Sequence, residues 1–433
     1  MTIDTPSLSS AGHIALLSRA DVTIRAGAGD TAPDLSLLWG KDAREVTPLH
    51  ERFAPVFEQI RRQALRAELS RELPFEQIRL LKESGFTALR VPVAHGGSGA
   101  SLEDLFALIT TLASADSNVA QALRAHFGFV EHLLFEAAGP YRTKWLDRLG
   151  AGQTAGAAAA EGPASKRDLF STTLSQTDGK WVINGSKFFT TGSLYADWLT
   201  VTGTTEDGQT VKTLAARHDP GLEIVDDWDG IGQRLTASGT AHFHNVHTEE
   251  ADLRYGNTAF PHSQAFFQLY HLATVAGIAR AAATDVADAV RRRKRSFSHG
   301  NADLPAEDPQ ILEIVGHVFS GAYLASAAVE RAARAIQAVA DSPAPELDLT
   351  VARAELEVWQ VQDRILPLVL EATTALFDAL SGGATLRVAG LDRHWRNVRT
   401  LGNHNPRVYR TRVVGDYAVN GTLPPIQWRV GVA

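Results

Sequence analysis

His404 and Asn405 stand side by side near the end of the chain, in the run Leu391-Asp-Arg-His-Trp-Arg-Asn-Val-Arg-Thr-Leu-Gly-Asn-His-Asn-Pro-Arg407. An imidazole titrates near neutrality and can take or give a proton. An amide has no basic lone pair and no carboxylate pKa, so Asn405 can orient a neighbour but cannot be a general base. A second set combines an indole with small hydroxyls. Trp228-Asp-Gly-Ile-Gly-Gln-Arg-Leu-Thr-Ala-Ser-Gly239 carries Trp228 and Ser238, and Lys187-Phe-Phe-Thr-Thr-Gly192 carries Thr190, Thr191 and Gly192. An aromatic wall beside hydrogen-bonding hydroxyls suits a flat ring cofactor such as a flavin. His126 and His132 are too far apart for an i, i+4 metal pair. The chain has 15 histidines without a metal-type spacing and no cysteine. No metal site is therefore expected, and disulfides, iron–sulfur clusters and Cys nucleophiles are excluded.

Several elements must position these groups. A chain of 433 residues exceeds one ordinary core and predicts two or three sub-domains. Residues 1–40 have little periodicity and read as a leader. Residues 41–153 read as helical. Phe75, Ile78 and Leu81 recur at helical spacing before Gly85, Ser101 with Asp104 forms an N-cap pair, and Asp116-Ser117-Asn118 starts a helix running to Phe135. Over 154–258 the period falls to two, with turns expected at Asp178-Gly179 and Asn184-Gly185. That predicts a small antiparallel barrel or sandwich. Residues 259–433 return to helical spacing in long segments, which predicts a bundle. The fold class is α+β. Val358, Trp359 and Val361 put apolar side chains on more than one helix face and suggest packing against neighbouring chains.

The net charge of −7 argues against nucleic-acid or anionic-membrane partners. No uninterrupted apolar run is long enough to cross a bilayer, and the first residues lack a secretory signal. A cytoplasmic enzyme is the expectation.

The run 391–407 resembles the C-terminal active-site segment of the acyl-CoA dehydrogenase superfamily, and 228–239 resembles its Trp/Gly-x-Arg-x-Thr-x-Ser signature. The helix–sheet–bundle order matches as well. In the dehydrogenases a Glu removes the substrate α-proton. Counting on from Arg396-Asn397, that position is Asn405. The isovaleryl-type branch places its Glu on the first bundle helix, and that position falls near Tyr270, again no carboxylate. A His-Asn pair here is similar to the flavin monooxygenase branch, typified by dibenzothiophene monooxygenase.

The resemblance implies roles for further residues. Thr190, Thr191, Gly192, Trp228 and Ser238 would hold the flavin. Arg293 and Arg295, from Arg291-Arg-Arg-Lys-Arg295, would bind its phosphate from a neighbouring subunit of a homotetramer. Gly382 and Gly383 resemble the turn near the FAD pyrophosphate, which keeps FAD open beside FMN. His126 lies on a helix that lines the substrate pocket in relatives, and would join His404 and Asn405 as catalytic. Tyr270 and Ala157 would line the pocket. Ala157 lies in Thr154-Ala-Gly-Ala-Ala-Ala-Ala-Glu-Gly162, whose alanines replace the polar contacts to an acyl-CoA thioester. The expected activity is a two-component monooxygenase using FMNH2 and O2 through a C4a-hydroperoxyflavin. Its substrate would be a small hydrophobic sulfur-, nitrogen- or aromatic-containing molecule. No NAD(P)H fingerprint is present, so a separate NAD(P)H:flavin reductase would supply FMNH2. The alternative is an FAD-dependent acyl-CoA dehydrogenase or oxidase-like enzyme.

Overall fold

The computed structural model describes residues 33, 35–39, 47–161, 170–256, 259–342 and 346–425. The expected leader, apart from a few of its residues, lies outside the described residues, as does Gly162.

Helices α1 (Pro48–Ser70), α2 (Phe75–Ser84), α3 (Leu102–Ala115), α4 (Ser117–Ala122), α5 (Arg124–Phe135) and α6 (Pro140–Gly150) come first. Local chemistry sets several of their ends. Ser101 and Asp104 form a reciprocal capping box at α3, with Asp104 N–H donating to Ser101 Oγ at 3.0 Å. Gly85 stops α2 with a φ of 79°. The single helix expected up to Phe135 is two, broken at Leu123, so Arg124 opens α5.

Eight strands follow: β1 (Ala155–Ala158), β2 (Thr173–Thr177), β3 (Lys180–Lys187), β4 (Trp198–Thr205), β5 (Thr210–Ala216), β6 (Leu222–Ile224), β7 (Ala241–Thr248) and β8 (Arg254–Tyr255). They form one sheet in the order β6-β7-β3-β2-β4-β5-β8, with β1 on β4. The sheet is mixed, since β1 and β2 both run parallel to β4. Asp178 and Gly179, both at positive φ, turn β2 into β3. Asn184-Gly185 is not a second turn. It sits inside β3 at a register shift against β7, with Gly185 at φ 138°. A Cβ on Gly185 would come 2.7 Å from Thr172 Cα, so the glycine allows a close backbone approach.

The bundle is built from α7 (Ser263–Arg292), α8 (Pro309–Ala340) and α9 (Leu347–Ala375), with the shorter α10 (Asp392–Gly402) and α11 (Arg407–Asn420) against them. One core runs from α1 through α3 into α7, α8 and α9, and a second lies within the sheet. Helix α8 is long and apolar enough to cross a membrane, unlike any run picked out in the sequence, but it packs on α7 and α9. Val358, Trp359 and Val361 are all buried within the chain, because α9 is surrounded by α7, α8 and α11. Exposed apolar side chains lie on α8 (Leu312, Tyr323, Leu324) and α11 (Val408, Tyr409, Val419), among others.

Candidate active site

The loop between β6 and β7 is folded around one carbonyl. Gln233 O accepts from Trp228 Nε1 at 2.9 Å and from Thr236 Oγ1 at 2.8 Å. Gln233 and Ala237 hold φ of 53° and 47°, a costly conformation for non-glycine residues that surrounding contacts must impose. Those contacts come from α10. Asn397 Oδ1 accepts from Gln233 N at 2.6 Å, while Asn397 Nδ2 and Gln233 Nε2 each donate to Ser117 Oγ at 3.1 Å. Leu235 N donates to Asn118 Oδ1 at 3.2 Å. Arg396 adds Nη1 to Ile231 O at 2.8 Å and Nη2 to the buried Glu68 carboxylate at 3.0 Å. The Arg396-Asn397 pair is therefore a clasp that fixes the Trp228–Ser238 loop.

The second loop follows β3. Thr191 Oγ1 lies 2.8 Å from Ser238 Oγ, which lies 2.7 Å from Thr236 Oγ1. Each hydroxyl has one proton. Thr236 donates to Gln233 O, so the chain runs Thr191 to Ser238 to Thr236 and leaves the Thr191 oxygen with a free lone pair. Gly192, at φ 79°, tolerates no side chain: a Cβ would sit 2.0 Å from Ala122 O. Ala157 adjoins this loop, its N–H donating to Thr191 O at 3.3 Å and its carbonyl accepting from Ser193 Oγ at 2.6 Å. Lys187 is buried and ion-paired with Glu161 at 2.9 Å, tying the alanine-rich segment to β3. Phe189, also at positive φ, is half exposed with its ring centroid 6.1 Å from that of Trp228.

His404 follows α10. Its ring centroid is 4.4 Å from that of His271 on α7. His404 remains open to solvent while protein crowds the other sides of its ring. That enclosure, then the charges of Arg124 and Arg410, push its pKa down to about 3, against a hydrogen bond from Asn405. His271 is almost fully buried and is driven well below the usual range by burial and the same two arginines. Both imidazoles are neutral at physiological pH. Asn405 is held in turn: its Nδ2 donates to Gln268 Oε1 at 3.2 Å and its carbonyl accepts from Gln362 Nε2 at 2.9 Å.

Three expected roles are corrected. His126 is fully buried, with Nε2–H donating to Thr87 O at 2.7 Å and Nδ1 accepting from Ala155 N at 3.3 Å. Both ring nitrogens are committed, so it positions β1 rather than exchanging protons. The Thr190 hydroxyl is fully buried and donates to Gly239 O at 2.9 Å, so it stitches the two loops together and has no proton for a cofactor. Tyr270 is fully buried with its hydroxyl on Ala120 O at 2.9 Å, and the residue packed against His404 is its neighbour His271.

Arg293 stacks on Phe297 at 4.3 Å beyond α7, Arg295 is exposed, and Gly382 and Gly383 are exposed in a short turn after α9. Within one chain Arg293 and Arg295 make no hydrogen bond or ion pair to the Thr191–Ser238 loops among the described residues, and the space around Gly382 and Gly383 is open. No group of three metal-ligating side chains occurs among the described residues. Sequence reasoning missed Arg124, Gln268, His271 and Arg410. The available signal was His271 at i+4 from Phe267 and at i+3 from Gln268 on α7.

The acyl-CoA dehydrogenase N-terminal, middle and C-terminal domain models match residues 49–153, 157–246 and 269–406. The chain belongs to the acyl-CoA dehydrogenase family. It is 28% identical over 356 residues to a protein of Pseudomonas putida named a probable FMNH2-dependent monooxygenase, SfnC, covering 79% of this chain and 88% of that one. It is 27% identical over 380 residues to dibenzothiophene monooxygenase of Rhodococcus erythropolis, covering 79% and 86%. The FMN-bound crystal structure of TdsC from Paenibacillus sp. A11-2 superposes with a TM-score of 0.77 at 26% identity, covering 86% of this chain and 98% of that one.

Proposed function

We propose that this protein is a two-component flavin-dependent monooxygenase. It takes FMNH2 from a separate NAD(P)H:flavin reductase and uses O2 to oxygenate a small sulfur-, nitrogen- or aromatic-containing substrate. The observation that carries this reading is the neutral His404 beside Asn405, at the place where the dehydrogenases of the family keep a carboxylate. Asn405 cannot abstract a proton, and its side chain is tied to Gln268. The carboxyl of Glu355 is pushed up to about 8 by burial and interacts with Arg410, not with either histidine. Neither position at which the family carries the base for α,β-dehydrogenation thus holds a carboxylate here, while a neutral imidazole able both to donate and to accept is present.

The residues of the two loops fit a reduced flavin. Trp228 and Phe189 supply an aromatic wall, and the hydroxyl chain ends at Thr191 with a lone pair. A lone pair suits the N–H of a reduced ring better than the bare nitrogen of an oxidised one. Bound FMNH2 supplies the electrons and the activation of O2. The chain's own part is to exclude water with the alanine-lined floor at Ala157 and the aromatic wall, and to hold a proton at His404 with Asn405 fixing that ring. The relatives' named activities, FMNH2-dependent oxygenation and oxygenation of dibenzothiophene, support the same chemistry. A homotetramer and a cytoplasmic location belong to this reading, with Arg293 and Arg295 reaching the flavin phosphate of a neighbouring subunit.

The test is a turnover of the purified protein with a generic flavin reductase, NADH, FMN and 18O2 over a panel of sulfides, sulfones, indoles and amines. One 18O atom incorporated per product is expected. Anaerobic bleaching of bound FAD by an acyl-CoA, with no 18O in any product, is the result that defeats the reading.

A further inference from the structure

One turn of α7 gathers an electrostatically unbalanced group. Phe267 offers its carbonyl to Arg124 Nε at 3.3 Å and its ring to the same guanidinium at 4.7 Å. Gln268 Oε1 accepts from Arg410 Nη1 at 2.9 Å. His271 lies against His404. Arg124 is partly buried and Arg410 is buried, yet among the described residues neither has a carboxylate at ion-pair distance. Arg410 Nε and both ring nitrogens of His271 are buried without a hydrogen-bond partner. A cation held out of water without a counter-ion is costly, and so is an unpaired buried nitrogen. Here two such arginines and one such histidine act on His404, and burial keeps Glu355 from supplying a full negative charge at neutral pH. A single anion entering beside His404 would give Arg124 a counter-ion, accept from the His271 N–H and offset the nearby charge of Arg410.

We propose that the substrate carries an anionic oxyacid group, a carboxylate or a sulfur oxyanion, that Arg124 receives while His271 donates a hydrogen bond beside it. This rests on the oxygenase reading and narrows its substrate class. The fork of a guanidinium pairs two donors with two oxygens of such a group. Phe267 then flanks the anion on one side, and the apolar remainder of the substrate extends toward Ala157 and Trp228. Arg410, tied to Gln268 and Gln362, adds positive potential without contacting the ligand.

The experiment measures binding of benzoate, benzenesulfinate and their neutral counterpart benzamide to the FMN-loaded full-length protein by calorimetry. It uses wild type, Arg124→Met and Arg124→Lys, and it also measures FMN and riboflavin affinity in each. Wild type is expected to bind the two anions at least about 10-fold more tightly than benzamide, the scale of a hydrogen bond to a charged group. Arg124→Met should erase that preference, Arg124→Lys should keep part of it, and neither flavin's affinity should change. Equal binding of benzamide and benzoate by wild type, a measurement that needs no variant, overturns the proposal. So does loss of FMN but not riboflavin affinity in Arg124→Met, which would give the arginine to the flavin phosphate. The two readings fail separately. Oxygenation of neutral substrates without anion preference removes this inference alone, whereas anion preference without 18O incorporation into any product removes the oxygenase reading and leaves the anion site.

Discussion

Replacing His404 and His126 separately by alanine should split activity from stability. His404 is exposed, its ring packs on His271 and is hydrogen-bonded by Asn405, and its backbone N–H bonds Leu401 O. Deleting that ring removes no bond that closes the fold, so the stability cost should stay under about 1 kcal/mol, as for surface-exposed positions generally. The chemical cost should be large. Loss of a proton-handling group lowers turnover by about 10²-fold or more. Reduced flavin still reacts with O2, so H2O2 released per NADH consumed should rise as product falls. His126→Ala reverses the pattern. It strands Thr87 O and Ala155 N–H, two backbone groups in a fully buried place, at about 1–3 kcal/mol each, and leaves a cavity besides. The expected loss is about 3–5 kcal/mol, with kcat of the surviving folded enzyme within a few-fold of wild type. The assays are urea unfolding followed by tryptophan fluorescence, and coupled turnover with product and peroxide both quantified. If His404→Ala loses stability in step with activity and its peroxide yield is unchanged, His404 is a packing residue. The proton-transfer role would then be wrong.

Four further outcomes follow from the same geometry. His126 stays neutral in the fold, its pKa pushed from an ordinary 6.5 down to about 4 by burial, whereas the unfolded chain protonates it from about pH 6.5 downward. Its contribution is therefore intact above pH 6.5 and lost as pH falls toward 4, by about 3 kcal/mol at 1.36 kcal/mol per unit, and His126→Gln should flatten that part of the stability–pH curve. Asn397→Ala leaves the Gln233 N–H unsatisfied in the core and should cost about 2–3 kcal/mol while weakening FMN binding several-fold, with a free Trp228–Ser238 loop read by its proteolysis. FMNH2 should bind more tightly than FMN under anaerobic titration, since Thr191 presents a lone pair, and equal affinities would count against the hydroxyl-chain argument. Light scattering should find a tetramer at micromolar concentration, and charged substitutions at Tyr323 and Leu324 on the exposed face of α8 should dissociate it; a monomeric wild type removes the shared-arginine phosphate site.

Local chemistry was legible in the sequence, and long-range chemistry was not. The Ser101–Asp104 capping box and the Asp178-Gly179 turn are settled by residues three or fewer apart, and the structure has both. Asn184-Gly185 carries the same dipeptide signal as a turn but becomes a bulge. The deciding partners are Thr172, which needs the glycine's missing Cβ, and Asn245, whose N–H bonds Asn184 Oδ1 at 2.8 Å. The helix–sheet–bundle order was readable from the change of hydrophobic period, because period reports which face is buried without naming what buries it. His126 could not be placed by sequence, since its two acceptor and donor partners lie 39 and 29 residues away. Tyr270 and His271 are adjacent in sequence but about 100° apart around a helix, so a one-residue uncertainty exchanges a core phenol for the imidazole packed on His404.

The C-terminal run is where these scales meet. Asn397 and Arg396 spend their polar atoms on the 228–238 loop, and the chain beyond α10 then carries His404 and Asn405 to the cleft. The segment thus fixes the cofactor loop and delivers the proton-handling group from one short helix, so a change in one function is felt by the other. Arginine placement adds the remaining constraint. Arg124 and Arg410 look like ordinary surface charges in the sequence, yet burial brings both to bear on His404, and their charge helps keep that imidazole unprotonated. A neutral histidine beside an amide is a poor base for an α-proton and a good partner for oxygen chemistry, and enclosure first, then the charges of Arg124 and Arg410, 286 residues apart in the first turns of two different helices, hold it in that state.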